Sequence, residues 1–143
     1  MDFVSIRVIT DDVARLVAFY ERATGGQAIW ANENFAELTV GSATLAIASA
    51  RTVPLFAPGA ARPADNSTVI IEFLVDDVDG VHKNLAGFVE DFVNEPTTMP
   101  WGNRSLLFRD PDGNLVNFFT PVTPAAIEKF ARGISGDRTP LSR

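Results

Sequence analysis

The sequence predicts an α+β protein of two tandem βαβββ modules, with curled mixed sheets around a cavity. The first observation behind this is an internal repeat. The run Ile6-Arg7-Val8-Ile9-Thr10-Asp11-Asp12-Val13 matches Ile71-Glu72-Phe73-Leu74-Val75-Asp76-Asp77-Val78 at a constant offset (71 − 6 = 65 and 78 − 13 = 65), with four of the eight positions identical. The second is that the same order of elements follows each match: a helix, then three short strands. The third is that Gly41 precedes the strand Thr44–Ala48 as Gly113 precedes Leu115–Phe119. Strand–Asp–helix junctions look alike in many proteins because each needs the same cap. This repeat is stronger evidence because it reaches the ends of both modules.

Phe3 to Ile9 is rich in β-branched and apolar residues and reads as a strand. Asp11 or Asp12 can cap the helix that follows, whose apolar face is Val13, Leu16, Val17 and Tyr20. Gly25-Gly26 ends it. Strands are expected near Gln27–Trp30, Phe35–Val40 and Thr44–Ala48, with turns at Asn32-Glu33-Asn34 and Gly41-Ser42. Residues 51–67, with three prolines and no periodicity, read as a linker. The second module has a strand over Thr68–Val75 and a helix opened by Asp76-Asp77 and running to about Phe88. Further strands are expected near Val89–Asn94, Arg104–Phe108 and Leu115–Thr120. Asp110-Pro111-Asp112-Gly113-Asn114 is a strong turn signal. A proline-started helix fits Pro124–Ala131, and the polar tail from Gly133 reads as mobile. The expected division is therefore a module over 1–50, a linker over 51–67, a module over 68–122 and a helix with tail over 123–143.

With 143 residues the chain can bury a core without a staple, and it has no cysteine, so disulfides and thiolate chemistry are excluded. Its net charge of −6, with no basic patch, argues against nucleic acid. No apolar run is long enough to span a membrane, and Met1-Asp2-Phe3 does not begin a signal peptide. The expected location is the cytoplasm, which makes the sequons at Asn66 and Asn103 chance matches. There is no phosphate loop, no nucleophile elbow and no His-Glu-x-x-His motif.

Several segments carry a family resemblance: Asp12 with Phe19-Tyr20 and Gly25, Phe73 to Asp79, Pro100-Trp101-Gly102-Asn103-Arg104, and Phe108 to Asn114. In this order and spacing, from about residue 3 to 121, they resemble the vicinal-oxygen-chelate superfamily (glyoxalase, bleomycin-resistance protein, extradiol dioxygenase). The resemblance implies paired modules, usually in a homodimer, with a cavity in each curled sheet. Its metal enzymes place histidine or carboxylate ligands on the first and last strands of each module, because a divalent cation needs hard oxygen or imidazole donors. Carried onto this chain, those positions are Ser5 and Ile70, and Asn117 with Leu45 or a near neighbour. None is a good ligand, and the single histidine, His82, lies in a helix. The fold is therefore expected without the metal. The branch it resembles is the metal-free, drug-sequestering one, with no cofactor and a small-molecule ligand of cationic or aromatic character.

Side chains alternate along a strand. If Ser5 faces the cavity, then Arg7 and Ile9 do too, as do Ile70, Glu72 and Leu74, and Leu115, Asn117 and Phe119. Arg7 and Glu72 either form a buried ion pair or recognise a polar ligand. Trp101 can stack on a flat ligand, and Trp30 and Phe35 can add apolar wall, unless all three are ordinary core. The candidate binding set is thus Ser5, Arg7, Trp30, Phe35, Ile70, Glu72, Trp101, Asn117 and Phe119. Arg104 is expected to pair with Asp110 or Asp112, and His82 to face solvent. Two alternatives stand beside sequestration. One is a lyase, isomerase or dioxygenase with unusual metal ligands, Glu72 or Glu37, or with a metal-free acid–base mechanism in which burial tunes Glu72 as the base. The other is a structural module whose barrel is filled by Leu45, Ile70, Leu74 and Phe119.

Overall fold

In the computed structural model, residues 1–134 are described. The described chain divides into two compact units: Met1–Val69 with Arg109–Leu115, and Ile70–Phe108 with residues 116–134.

The first unit holds β1 (Ser5–Thr10), α1 (Val13–Thr24), β2 (Ile29–Asn32), β3 (Phe35–Val40) and β4 (Ala43–Ser49). Its sheet has the order β1-β4-β3-β2, with β1 parallel to β4 and the other pairs antiparallel. Asp12 is the residue that caps α1, its carboxylate accepting from Arg15 N at 3.0 Å. Gly25, at φ 74°, closes the helix in the left-handed conformation that glycine adopts freely. Val13, Leu16, Val17 and Tyr20 are buried on one side of α1. Register puts Ala36 opposite Ile47 and Leu38 opposite Leu45, so these apolar side chains share the sheet face that α1 covers. Leu16 and Leu38, each 1% exposed, gain about 1.5–3 kcal/mol apiece from burial. A 3-10 helix over Ala50–Leu55 follows, where the sequence suggested only irregular linker. Ser49 explains it: its hydroxyl accepts from Arg51 N at 3.1 Å, and its carbonyl accepts from the Thr52 hydroxyl at 2.7 Å.

The second unit holds β5 (Ile70–Leu74), α2 (Val78–Leu85), β6 (Thr97–Thr98), β7 (Asn103–Arg109), β8 (Leu115–Pro121) and α3 (Pro124–Ile134), with sheet order β5-β8-β7-β6. The unit repeats the strand order of the first, with the first strand beside the last. Asp77 caps α2 as Asp12 caps α1. Its core is a run of edge-on rings, Phe73 to Phe118 to Phe108 to Phe92, spaced 5.3, 5.0 and 6.2 Å.

Three expectations are corrected here. The segment 89–94 makes only a single bridge, Phe92 to Phe108, and the short strand lies later, at Thr97–Thr98. Asn94 replaces ladder bonds with its side chain, its Oδ1 accepting from Leu107 N at 2.7 Å, and Pro96 has no N–H to give. His82 is half-buried rather than solvent-facing, edge-on to Phe92 at 5.0 Å. Neither sheet closes on itself into a filled barrel, and Leu45 lies on the face toward α1. The tail beyond residue 134 lies outside the described residues.

Tyr20 supplies a prediction. Its hydroxyl donates to Asp110 Oδ2 at 2.7 Å. Burial, and then the neighbouring Asp110 and Asp112 charges, push its ionisation far above the usual range near 10. The folded chain therefore keeps a proton that the unfolded chain gives up above about pH 10, so stability falls as pH rises past that value. It is the single tyrosine in the chain. Tyrosinate absorbance should consequently stay silent through pH 10 and rise together with loss of the circular dichroism signal. An independent titration at pH 10 in the folded protein would contradict this burial.

Candidate functional site

The face of the first sheet away from α1 is set by register. Ser5 pairs with Thr44 and Thr44 with Thr39; Arg7 pairs with Ala46, Ala46 with Glu37 and Glu37 with Ile29; Ile9 pairs with Ala48 and Ala48 with Phe35. Directly opposed residues share a face, so these are three parallel rows on one surface. The Thr39 and Thr44 hydroxyls, 3.0 Å apart, fit that placement. Ala46 and Ala48 form a buried floor. Over it lies the Arg7 guanidinium, 4.9 Å from the Phe35 ring centre and 5.5 Å from that of Phe56. Phe56, which follows the 3-10 helix, was not foreseen; an exposed aromatic in a proline-rich linker gives no periodic signal.

Trp30 does not join this surface. It pairs with Ala36, which faces α1, and so sits on the opposite side of the sheet from Phe35. There it lines a shallow pocket of about 270 Å³ with the start of α1, Glu33, Asn34, Ser49 and Arg51.

In the second unit, Asn117 Nδ2 donates to Glu72 Oε2 at 2.8 Å, which puts β5 and β8 in the expected phase. The Glu72 carboxylate fixes the orientation of that amide, because the opposite one would set oxygen against oxygen. Asn117 Oδ1 is closed off from solvent with no hydrogen-bond partner. Ile70 is 45% exposed, while Phe119 is buried against Phe130 of α3 at 5.0 Å between ring centres. Trp101 is 68% exposed and is not core.

Two charge expectations are revised. Arg7 and Glu72 are both exposed, so neither belongs to a buried ion pair, and the burial proposed to tune Glu72 as a base is absent. Arg104 pairs with Asp79 rather than Asp110 or Asp112, through Nε at 2.8 Å and Nη2 at 3.0 Å. The Arg104 hydrogen bonds hold the Asp79 carboxyl below its usual range. Asp110 is engaged elsewhere, with Tyr20 and Asn114.

The resemblance implies metal-ligand positions on the first and last strand of each module, and these side chains occupy them. On the outward faces they are Ser5 and Ile70, with Thr44 opposite Ser5 and Asn117 beside Glu72. Leu45 points to α1, so Thr44 or Ala46 takes its place. Two hydroxyls, an alkyl chain and a neutral amide do not fit a divalent cation. Among the described residues, no group of three or more His, Cys, Asp or Glu side chains is placed to hold a metal ion. No described helix is long and apolar enough to cross a membrane.

Among solved structures, the chain is similar to a glyoxalase/bleomycin resistance protein/dioxygenase from Nocardioides, at 21% identity and TM-score 0.71, covering 87% of this chain and 85% of that one. It is similar to a family enzyme from Burkholderia phytofirmans, at 18% identity and TM-score 0.74, covering 85% and 100%. It also resembles a virulence protein from Salmonella typhimurium, at 22% identity and TM-score 0.68, covering 85% and 98%. At these identities the likeness is one of fold. No curated protein matches the chain. The profile of the Glyoxalase/Bleomycin resistance protein/Dioxygenase superfamily matches residues 2–118, most of the sequence and both repeats. The chain belongs to that superfamily.

Proposed function

We propose that this chain is a metal-free small-molecule-binding protein that sequesters a flat ligand, in the manner of drug-sequestering bleomycin-resistance proteins, as a cytoplasmic homodimer without a cofactor. The observation that carries the reading is the chemistry at Ser5, Thr44, Ile70 and Asn117, where a metal enzyme of this superfamily needs strong donors. What those faces offer instead is aromatic and aliphatic surface with a few polar anchors: Phe35, Phe56 and Arg7 in the first unit, and Ile70 with Glu72 in the second. Such a composition suits flat ligands, which gain from ring contact and need few hydrogen bonds.

The test is metal content. The protein is purified without chelator, exposed in turn to Zn, Ni, Mn and Fe, desalted and assayed. The expected result is far fewer metal ions than chains. One tightly held ion per chain would overturn the metal-free reading and put a lyase, isomerase or dioxygenase of this superfamily in its place. Glu72→Gln would then be the first variant to assay.

A further inference from the structure

We propose that Arg7 is an anion-recognition residue, and that the ligand of the first unit carries a planar carboxylate on an aromatic frame. The inference rests on the small-molecule-binding reading above and names its chemical class. Four observations lead to it. The Arg7 guanidinium lies over the Phe35 and Phe56 rings and is exposed. Among the described residues it donates no hydrogen bond and makes no ion pair, so its N–H edge has no acceptor. Its own row holds only the small, buried Ala46 before Glu37, so no long side chain stands between the two charges. The neighbouring row on the same face carries the Ser5 and Thr44 hydroxyls.

Each observation has a chemical consequence. The rings restrain a long side chain that would otherwise lose rotamer entropy on binding. A restrained guanidinium presents its donors as a fork, which fits the two oxygens of a carboxylate better than any neutral acceptor. The same rings offer apolar surface to an aromatic frame attached to that carboxylate. Glu37 stands two strands away, on the order of 9–10 Å, and so places the anionic end of the ligand at Arg7 and not at the far edge.

The overall charge of −6 opposes an anion. That repulsion is spread over the surface and is largely screened beyond about 10 Å in ordinary salt. A fork of charge-assisted hydrogen bonds acts at contact and contributes roughly ten- to a hundredfold in affinity. The local interaction therefore decides the sign.

The experiment compares three probes on one frame by calorimetry: 2-naphthoate, its methyl ester and 2-naphthylmethylamine. They are titrated into the full-length protein and into Arg7→Met and Arg7→Lys. Met keeps an aliphatic stem over the rings and loses every donor; Lys keeps the charge and loses the fork. Arg7 is exposed, and unchanged circular dichroism and melting would show that both variants fold. The expected result is that naphthoate binds best, that Arg7→Met weakens it at least about tenfold, and that Arg7→Lys falls between, while the ester is unaffected. If the ester or the amine binds as well as naphthoate, independently of Arg7, the anion assignment is overturned and the flat-ligand reading stands. If none of the three binds at millimolar concentration, both are overturned.

Discussion

Asp110→Ala should lower the stability of the folded chain by about 3–5 kcal/mol, the larger of two big effects expected from single substitutions. The Asp110 carboxylate is 5% exposed and accepts four hydrogen bonds: from the Tyr20 hydroxyl at 2.7 Å, and from Asp112 N, Asn114 N and Asn114 Nδ2 at 2.9 Å each. Removing it takes away the acceptor of the buried Tyr20 hydroxyl bond and of the Asn114 amide bond, and each such loss at a buried donor costs about 1–3 kcal/mol. Tyr20→Phe removes one bond and leaves the carboxylate its other three, so a loss of about 1–2 kcal/mol is expected from it. Both variants are compared by urea denaturation, together with their double mutant. Because the two groups share a bond, the double mutant should lose less than the sum of the singles. A loss below about 1 kcal/mol for Asp110→Ala would show that the turn over 109–115 is not held by this carboxylate.

Gly102→Ala is expected to cost about 3 kcal/mol or more, for two reasons that add. Gly102 sits at φ 95°, where a side chain costs about 1–2 kcal/mol. A methyl group there would also run into the Thr123 side chain. Neither side can move away easily. Gly102 O accepts from Val122 N at 2.9 Å and from Thr123 N at 3.3 Å, and Gly102 N donates to Met99 O at 2.9 Å. Thr123 Oγ1 in turn accepts from Ala126 N at the start of α3. Displacing Thr123 therefore loosens α3 and the packing of Phe130 on Phe119. The check is denaturation of Gly102→Ala alone and combined with Thr123→Ala. The second substitution removes the hydroxyl but not the backbone strain, so it should restore only part of the loss. Full stability in Gly102→Ala would mean that the loop reshapes at no cost.

The sequence by itself determined the two modules and the order of elements that opens each of them. The repeat Ile6–Val13 and Ile71–Val78 encodes a strand, an acidic cap and a helix with one apolar face, and those signals are local in physical origin. Alternation along β1, β5 and β8 also placed Ser5 with Arg7 and Glu72 with Asn117 correctly, because the pleat repeats every two residues. That Ser5, Ile70 and Asn117 are neither histidine nor carboxylate was legible too, since it depends only on residue type. Tertiary structure alone decided the partners. Whether Arg104 meets Asp79 or Asp110 depends on which helix end lies beside β7, and no spacing in the chain encodes that. Trp30 and Phe35 are five residues apart, but an irregularity between Trp30 and Asn32 in β2 sends them to opposite faces. Tyr20 was visible as core, and a buried hydroxyl implies an acceptor, yet only the fold brings Asp110, ninety residues on, within 2.7 Å. Phe56 reaches Arg7 for the same reason: contacts between distant segments are set by how surfaces fit once the chain has folded, while caps, turns and alternation are set by neighbours along it.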